Sequence, residues 1–384
     1  MANLFFWAKW IDKIVLGALW WVIIMAIILW VPFMRPWWWI FLPICLSIEL
    51  RKLYAWWISW DYAYAKTKWV VLEMIPPKEI LTPLKAMEDV FGVLWATVSD
   101  KANWREKMFE GRLGDAPDWM SLEIVSVEGK LHFYARILQA HRSVFESTLY
   151  NHYPELEIHE APDYTKDVPQ NIPNQEWDVY GEDFILRQEA ALPIKTYEHF
   201  FEPQGEKITA EEKRIDPLNS LLESMARLGK GEQFWLQYIL SGTSDASEPG
   251  FKEMANALIE KIKKRPFKKK TGFMDEVLVA INNIIFGPQK VGSGEKATYK
   301  WLEAGKTESG ESEMVLTPGE REKLQMIENK LRKPLFRTTI RGLYVAKREN
   351  WKASHRILTR AYFAHFHTSH LNSIGFYPPT RPKT

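Results

Sequence analysis

Residues 14 to 34, IVLGALWWVIIMAIILWVPFM, are 21 consecutive positions without a charge. At about 1.5 Å per residue, a helix of this length covers roughly 30 Å, one hydrocarbon core. A cleaved leader would have an apolar region about half as long, followed by small residues. Here Arg35, Pro36 and the tryptophans Trp37, Trp38 and Trp39 follow instead. The run therefore predicts a retained membrane span.

Pro36 to Ile48 is a second uncharged stretch, but its 13 residues are too short to cross. Two arrangements are open. In one, the chain turns at Pro36 and a second helix runs from 36 to about 57, with Glu49, Arg51 and Lys52 snorkelling to the headgroups. In the other, a single span is followed by an interfacial helix rich in Tyr54, Trp56, Trp57, Trp60, Tyr62 and Tyr64. The hairpin is the favoured expectation. Of the 19 tryptophans, 12 fall before residue 70, and Trp37, Trp38, Trp39, Trp56 and Trp57 are the candidate membrane-interface residues. Lys9 and Lys13 precede the region, and Arg51, Lys52, Lys66 and Lys68 follow it. By the positive-inside rule the body lies in the cytoplasm in both arrangements, which places the protein at the cell membrane. Net charge is +2, so bulk charge selects no partner, and the single cysteine, Cys45, rules out an internal disulfide.

From residue 69 the pattern is that of an α+β chain. WVVLEMI (69 to 75) reads as a strand, ended by Pro76 and Pro77. Thr82 is expected to cap a helix with Pro83 at its first position and Leu84, Met87, Phe91 and Leu94 on one face. SLEIVSV and LHFYARI flank Glu128-Gly129-Lys130 as a hairpin. A helix from about His141 to Tyr153 and the strand ELEIHEA follow. The order β-α-β-β-α-β is the ferredoxin-like plan. It recurs: a strand at 184 to 190, a helix capped by Asp216 with Pro217 first, strands at 232 to 240 and 335 to 346, a helix from about Glu349 to His365, and a last strand in SIGFY. The second copy carries an insertion from about 242 to 333, with helices at 251 to 263, 273 to 286 and 318 to 332 and a mobile stretch at 287 to 316. The domain plan is thus an anchor (1–66), one ferredoxin-like domain (67–165) and a second with the insertion (166–384).

Few residues point to chemistry. VGSGEKATY (291 to 299) lacks the Gly-Lys-Ser/Thr ending of a phosphate loop and follows no apolar strand. His365, His367 and His370 in HFHTSH have the spacing of metal-dependent enzymes that nick single-stranded DNA, but no carboxylate cluster is nearby. KIKKRPFKKK carries Lys261, Lys263, Lys264, Arg265, Lys268, Lys269 and Lys270, which a solvated helix end, anionic lipid or nucleic-acid phosphate would all suit. Glu155, Glu157 and His159 share the outer face of a strand, an arrangement more often solubilising than catalytic. Without a Ser-His-Asp order, CxxC or HExxH, no catalytic residue, metal ligand or cofactor is assigned, and the chain is not expected to be an enzyme.

EILTPLKAMEDVFGVLW, SLEIVSVEGKLHFYARI, FESTLYNHYPELEIHEAPDYT and DPLNSLLESMARLGKGEQFWLQYIL together resemble a widespread family of membrane-anchored proteins of Patescibacteria. These in turn resemble the N-terminal, non-ATPase part of conjugation and type IV secretion ATPases. The resemblance covers roughly residues 10 to 375 and implies two N-terminal membrane helices. It also implies association with a P-loop motor. No such motif precedes Thr384, so either the motor is a separate partner or the sequence is part of a longer chain. The expected function is an adaptor or assembly component of a type IV secretion or conjugation-like transfer system, with membrane lipids, a separate motor ATPase and further copies of itself as partners. A nicking enzyme built on His365 and His367, and a lipid or nucleic-acid binder built on residues 261 to 270, are the alternatives.

Overall fold

The computed structural model describes residues 23, 25–26, 30–33, 35–78, 82–99, 103–110, 118–200, 216–243, 250–263, 289–291, 298–300, 316–368 and 371–380. They fall into two compact units: residues 1–69 with 100–118, and residues 70–99 with 119–384.

The first unit is built on helix α1 (Trp38–Trp57), entered through a 3-10 turn at Arg35–Trp37 and continued by a π-helical stretch at Ile58–Tyr64. Tyr54 donates a hydrogen bond to the Met108 carbonyl at 2.9 Å, which holds the 103–110 segment near this helix. Among the described residues no helix is long and apolar enough to cross a membrane. This overturns the expected transmembrane hairpin. Glu49, Arg51 and Lys52 all fall within the 20 residues of α1, and Pro43 interrupts its uncharged half. Three charges inside one span cost more than flanking charges at its ends. Most of the run at 14–34 lies outside the described residues.

The second unit holds one eight-stranded antiparallel sheet. Strand β1 (Trp69–Ile75) leads to α2 (Ala86–Val98), then to β2 (Trp119–Val127), β3 (Lys130–Leu138), α3 (Arg142–His152) and β4 (Glu157–Glu160). The order repeats as β5 (Trp177–Leu186), α4 (Pro217–Ala226), β6 (Glu232–Gly242), then the insertion with α5 (Phe251–Ile262), β7 (Gln289–Val291), β8 (Thr298–Lys300) and α6 (Pro318–Arg332). Strand β9 (Phe336–Lys347), α7 (Leu358–Ala364) and β10 (Ile374–Phe376) complete it. Across the sheet the strands run β10-β5-β9-β6-β2-β3-β1-β4. Each half therefore has the ferredoxin-like order 4-1-3-2, and the halves meet through β2 and β6, the second strand of each.

Period-two patterning decides the layers. Val70, Leu72, Met120, Ala135 and Ile137 pack against Val90, Leu94, Phe145 and Leu149 of α2 and α3. In the second half Phe184, Phe234, Leu236 and Tyr344 pack against Leu221, Met225, Tyr362 and Phe363 of α4 and α7. The opposite face carries Val125, Tyr134, Trp235 and Val345 and is covered by the segment between β4 and β5, through Tyr164, Val168 and Ile172. Tyr134 stacks on Tyr164 there, and Tyr164 meets Trp235 edge to face, with ring centroids 5.2 and 5.0 Å apart.

Local signals explain the boundaries. Glu128 and Gly129 both have positive φ, as the two central residues of a tight β2–β3 hairpin turn require. Asp216 accepts from the Leu218 N–H with Pro217 opening α4, and Thr317 with Glu320 forms a full capping box on α6. Three expectations are corrected. Thr82 does not cap α2; its hydroxyl donates to the His152 carbonyl at 3.1 Å, and Leu84 lies exposed in the turn before the helix. Strand β5 begins at Trp177 rather than 184, because its acidic residues are paired rather than solvated: Glu182 is held by Arg360, and Asp183 by Arg341 at 3.0 Å. The helix expected from Glu349 is two 3-10 turns followed by the short α7. The 273–286 helix lies outside the described residues.

Candidate functional site

Two surfaces have the character of binding sites, one in each unit. On α1, Leu46, Leu50, Leu53 and Trp57 are four, three and four residues apart and fall on one helix face. They are 47, 55, 48 and 49% exposed. Trp37, Trp38 and Trp39 extend the exposed apolar surface at the N-terminal end, while Trp56 is half-buried. Five of the tryptophan positions singled out from sequence are therefore accounted for, four of them exposed.

In the second unit the insertion creates a recess. Helices α5 and α6 pack on each other through Ala255, Leu258, Ile259, Leu324 and Ile327, with Ala191 of the post-β5 segment joining them. Their pairing does not close fully onto the sheet. Between them, the second half of the sheet and α7 lies a cavity of about 1090 Å3. Its wall is carbon: Phe184, Tyr238, Ile340, Phe363, Phe251 and Met254 contribute. The Tyr238 hydroxyl bonds to that of Tyr362, and burial holds both phenols above their ordinary value. The Thr243 hydroxyl donates to the Leu335 carbonyl at 2.8 Å. Lys330 of α6 also lines the cavity, and its ammonium donates to the Ala190 carbonyl at 2.6 Å. Burial lowers this lysine to about 8.

Two buried carboxylates are structural rather than reactive. Glu232 heads β6 and receives hydrogen bonds from the Tyr344 hydroxyl at 2.6 Å, the Gly229 N–H at 2.7 Å and Lys352 at 3.2 Å. Glu123 receives the hydroxyls of Ser121 and Tyr164 and the Gln237 amide. Each accepts three hydrogen bonds from within the fold, most of its acceptor capacity.

The remaining sequence candidates are not brought together. His365 and His367 lie exposed on the turn after α7, and His370 is outside the described residues. Among the described residues no group of three His, Cys, Asp or Glu side chains could hold a metal ion. Lys261 lies in the last turn of α5 and Lys263 follows the helix; Lys264, Arg265, Lys268, Lys269 and Lys270 lie outside the described residues. Residues 289–291 and 298–300, around the glycine-containing loop, pair as a two-stranded ladder. Glu157 and His159 are 3.3 Å apart on exposed β4, with His159 opposite Glu73, which in turn meets His132 at 2.6 Å. Sequence reasoning missed Lys330. The available signal was its place three residues after Ile327, beside the buried stripe of α6. No protein-family model matches the chain, and no curated protein or solved structure matches it either.

Proposed function

We propose that this chain is a non-catalytic assembly component, an adaptor that engages a separate P-loop motor of a secretion- or conjugation-like transfer system. The observation that supports this is the exposed stripe Leu46, Leu50, Leu53 and Trp57 on α1. Exposed, contiguous apolar surface marks a contact with another macromolecule. The alternating four- and three-residue spacing is the one a partner helix packs against. The stripe speaks for a helical partner; the choice of a motor rests on the resemblance of the four sequence segments quoted above.

The test is affinity purification of the tagged full chain from its native cells, compared with the Leu50→Glu/Leu53→Glu double variant. A P-loop ATPase recovered in fixed proportion with the unaltered chain and lost with the variant, at unchanged circular dichroism, is the expected result. Recovery of the chain without such a partner, or equal recovery by both forms, overturns the reading.

A further inference from the structure

We propose that the recess beneath α5 and α6 binds a long-chain amphiphile with a carboxylate head, and that Lys330 meets the head. The proposal goes beyond the assembly role and does not depend on it. Three observations carry it.

The first is size. Small-molecule pockets run from about 300 to 1,000 Å3. At about 1090 Å3 this recess has room for an extended acyl chain rather than a compact metabolite. The second is the wall. Aromatic and aliphatic side chains from the sheet, α5 and α7 line it, and the hydroxyls of Tyr238, Tyr362 and Thr243 are already engaged with other groups of the fold. Such a surface rewards methylene groups and offers little to a polar ligand. The third is charge. Among the described residues the lining includes Lys330 and Arg337 but no Asp or Glu. An ammonium has three donors, and one of those of Lys330 is used by the Ala190 carbonyl at 2.6 Å. Only burial accounts for its lowered value; no neighbouring acid contributes. A half-buried cation with no counter-charge among the described lining residues is costly, and a monoanion brought in on an apolar tail offsets that cost. A long lysine stem can lie along an apolar wall while its head meets the anion.

The experiment uses the full chain, stripped of lipid, titrated with oleate, oleyl alcohol and acetate by calorimetry. Oleate is expected to bind saturably at one per chain. Acetate should not bind, because it lacks the tail, and oleyl alcohol should bind more weakly. Lys330→Gln should weaken oleate by about tenfold, the worth of one charge-assisted contact, and leave oleyl alcohol unchanged. Met254→Trp, which fills the recess from α5, should weaken both. Thermal unfolding of each variant shows that it is folded. If oleate fails to bind the unaltered chain saturably, the site is not for an amphiphile. If Lys330→Gln affects oleate and oleyl alcohol alike, or neither, the head assignment is wrong.

Discussion

Glu123 of β2 stands directly opposite Gln237 of β6, at the middle of the nine paired positions that fuse the two halves of the sheet. The Gln237 amide donates to the Glu123 carboxylate at 3.2 Å and to the Tyr164 hydroxyl at 2.9 Å. Tyr164 arrives from the segment that links the two repeats, so one polar knot ties the linker to the junction. Burial, and then the Glu123 charge, push the Tyr164 phenol up, so it remains a donor at every working pH. Tyr164→Phe removes that donor from a buried carboxylate. It should cost about 1–3 kcal/mol, seen as a lower urea midpoint at unchanged slope.

Glu232 gives the fold an acid-sensitive point. Burial pushes its carboxyl up, but the hydrogen bonds from Tyr344, Gly229 and Lys352 and the His355 charge outweigh burial and leave it lowered. A carboxylate lowered by folding adds stability that is present above its ordinary value, about 4.3, and is lost as pH falls through the folded value. Urea midpoints between pH 3 and 7 should therefore fall towards the acid end in the unaltered chain. In Glu232→Gln the curve should be lower at pH 7 and flatter below pH 5.

Lys330 should act in the opposite pH range. Its folded value of about 8 lies below the ordinary lysine value of about 10.4. The unfolded chain then binds more protons between these limits, so stability rises with pH across them. The destabilising charge is fully present below about 8 and is relieved towards 10. Lys330→Met should be the more stable form at pH 7, and the difference in melting temperature should shrink by pH 10. Oleate should protect the unaltered chain more at pH 7 than at pH 10.

Gly129 and Gly92 make a contrasting pair. Gly129 has φ of +84°, and an added Cβ would lie 2.8 Å from both the Ala226 and Leu228 carbonyl oxygens. The left-handed backbone costs alanine about 1–2 kcal/mol, and the clash is with backbone that cannot swing aside. Gly129→Ala should therefore lower the melting temperature markedly. Gly92 lies inside α2 with open space where a Cβ would be, so Gly92→Ala should raise stability by up to about 1 kcal/mol.

Much of the strand and helix order was legible because its signals are local. Strand 69–75, the Glu128-Gly129 turn, the Asp216-Pro217 cap and the Thr317-Glu320 box each depend on residues a few positions apart. What could not be read depends on contacts far along the chain. Strand β5 looked too acidic to be a central strand until Arg360 and Arg341, about 160 to 180 residues later, supplied its counter-charges. Thr82 looked like a cap, but its hydroxyl goes to His152, 70 residues away. The apolar run that dominated the N-terminal reading gave a span by length alone, whereas in α1 the deciding fact is where three charges fall along the helix. The recess was invisible for the same reason. It is made by the failure of α5 and α6 to close on a sheet contributed by other parts of the chain, and Lys330 looked like one more cation on a charged helix.

The antiparallel β2–β6 ladder joins the same strand of each repeat, as a twofold axis would in a dimer of one repeat. The rims it leaves are short, four residues in β4 and three in β10, and invite little further sheet growth. Covalent fusion has a consequence that a true dimer cannot reach. Two identical subunits must carry every elaboration twice, whereas a tandem chain is free to let its halves diverge. Here the inserted helices interrupt only the second repeat, between β6 and β9. The second half is thereby free to build a receptor recess between β6 and β9 without the first having to copy it.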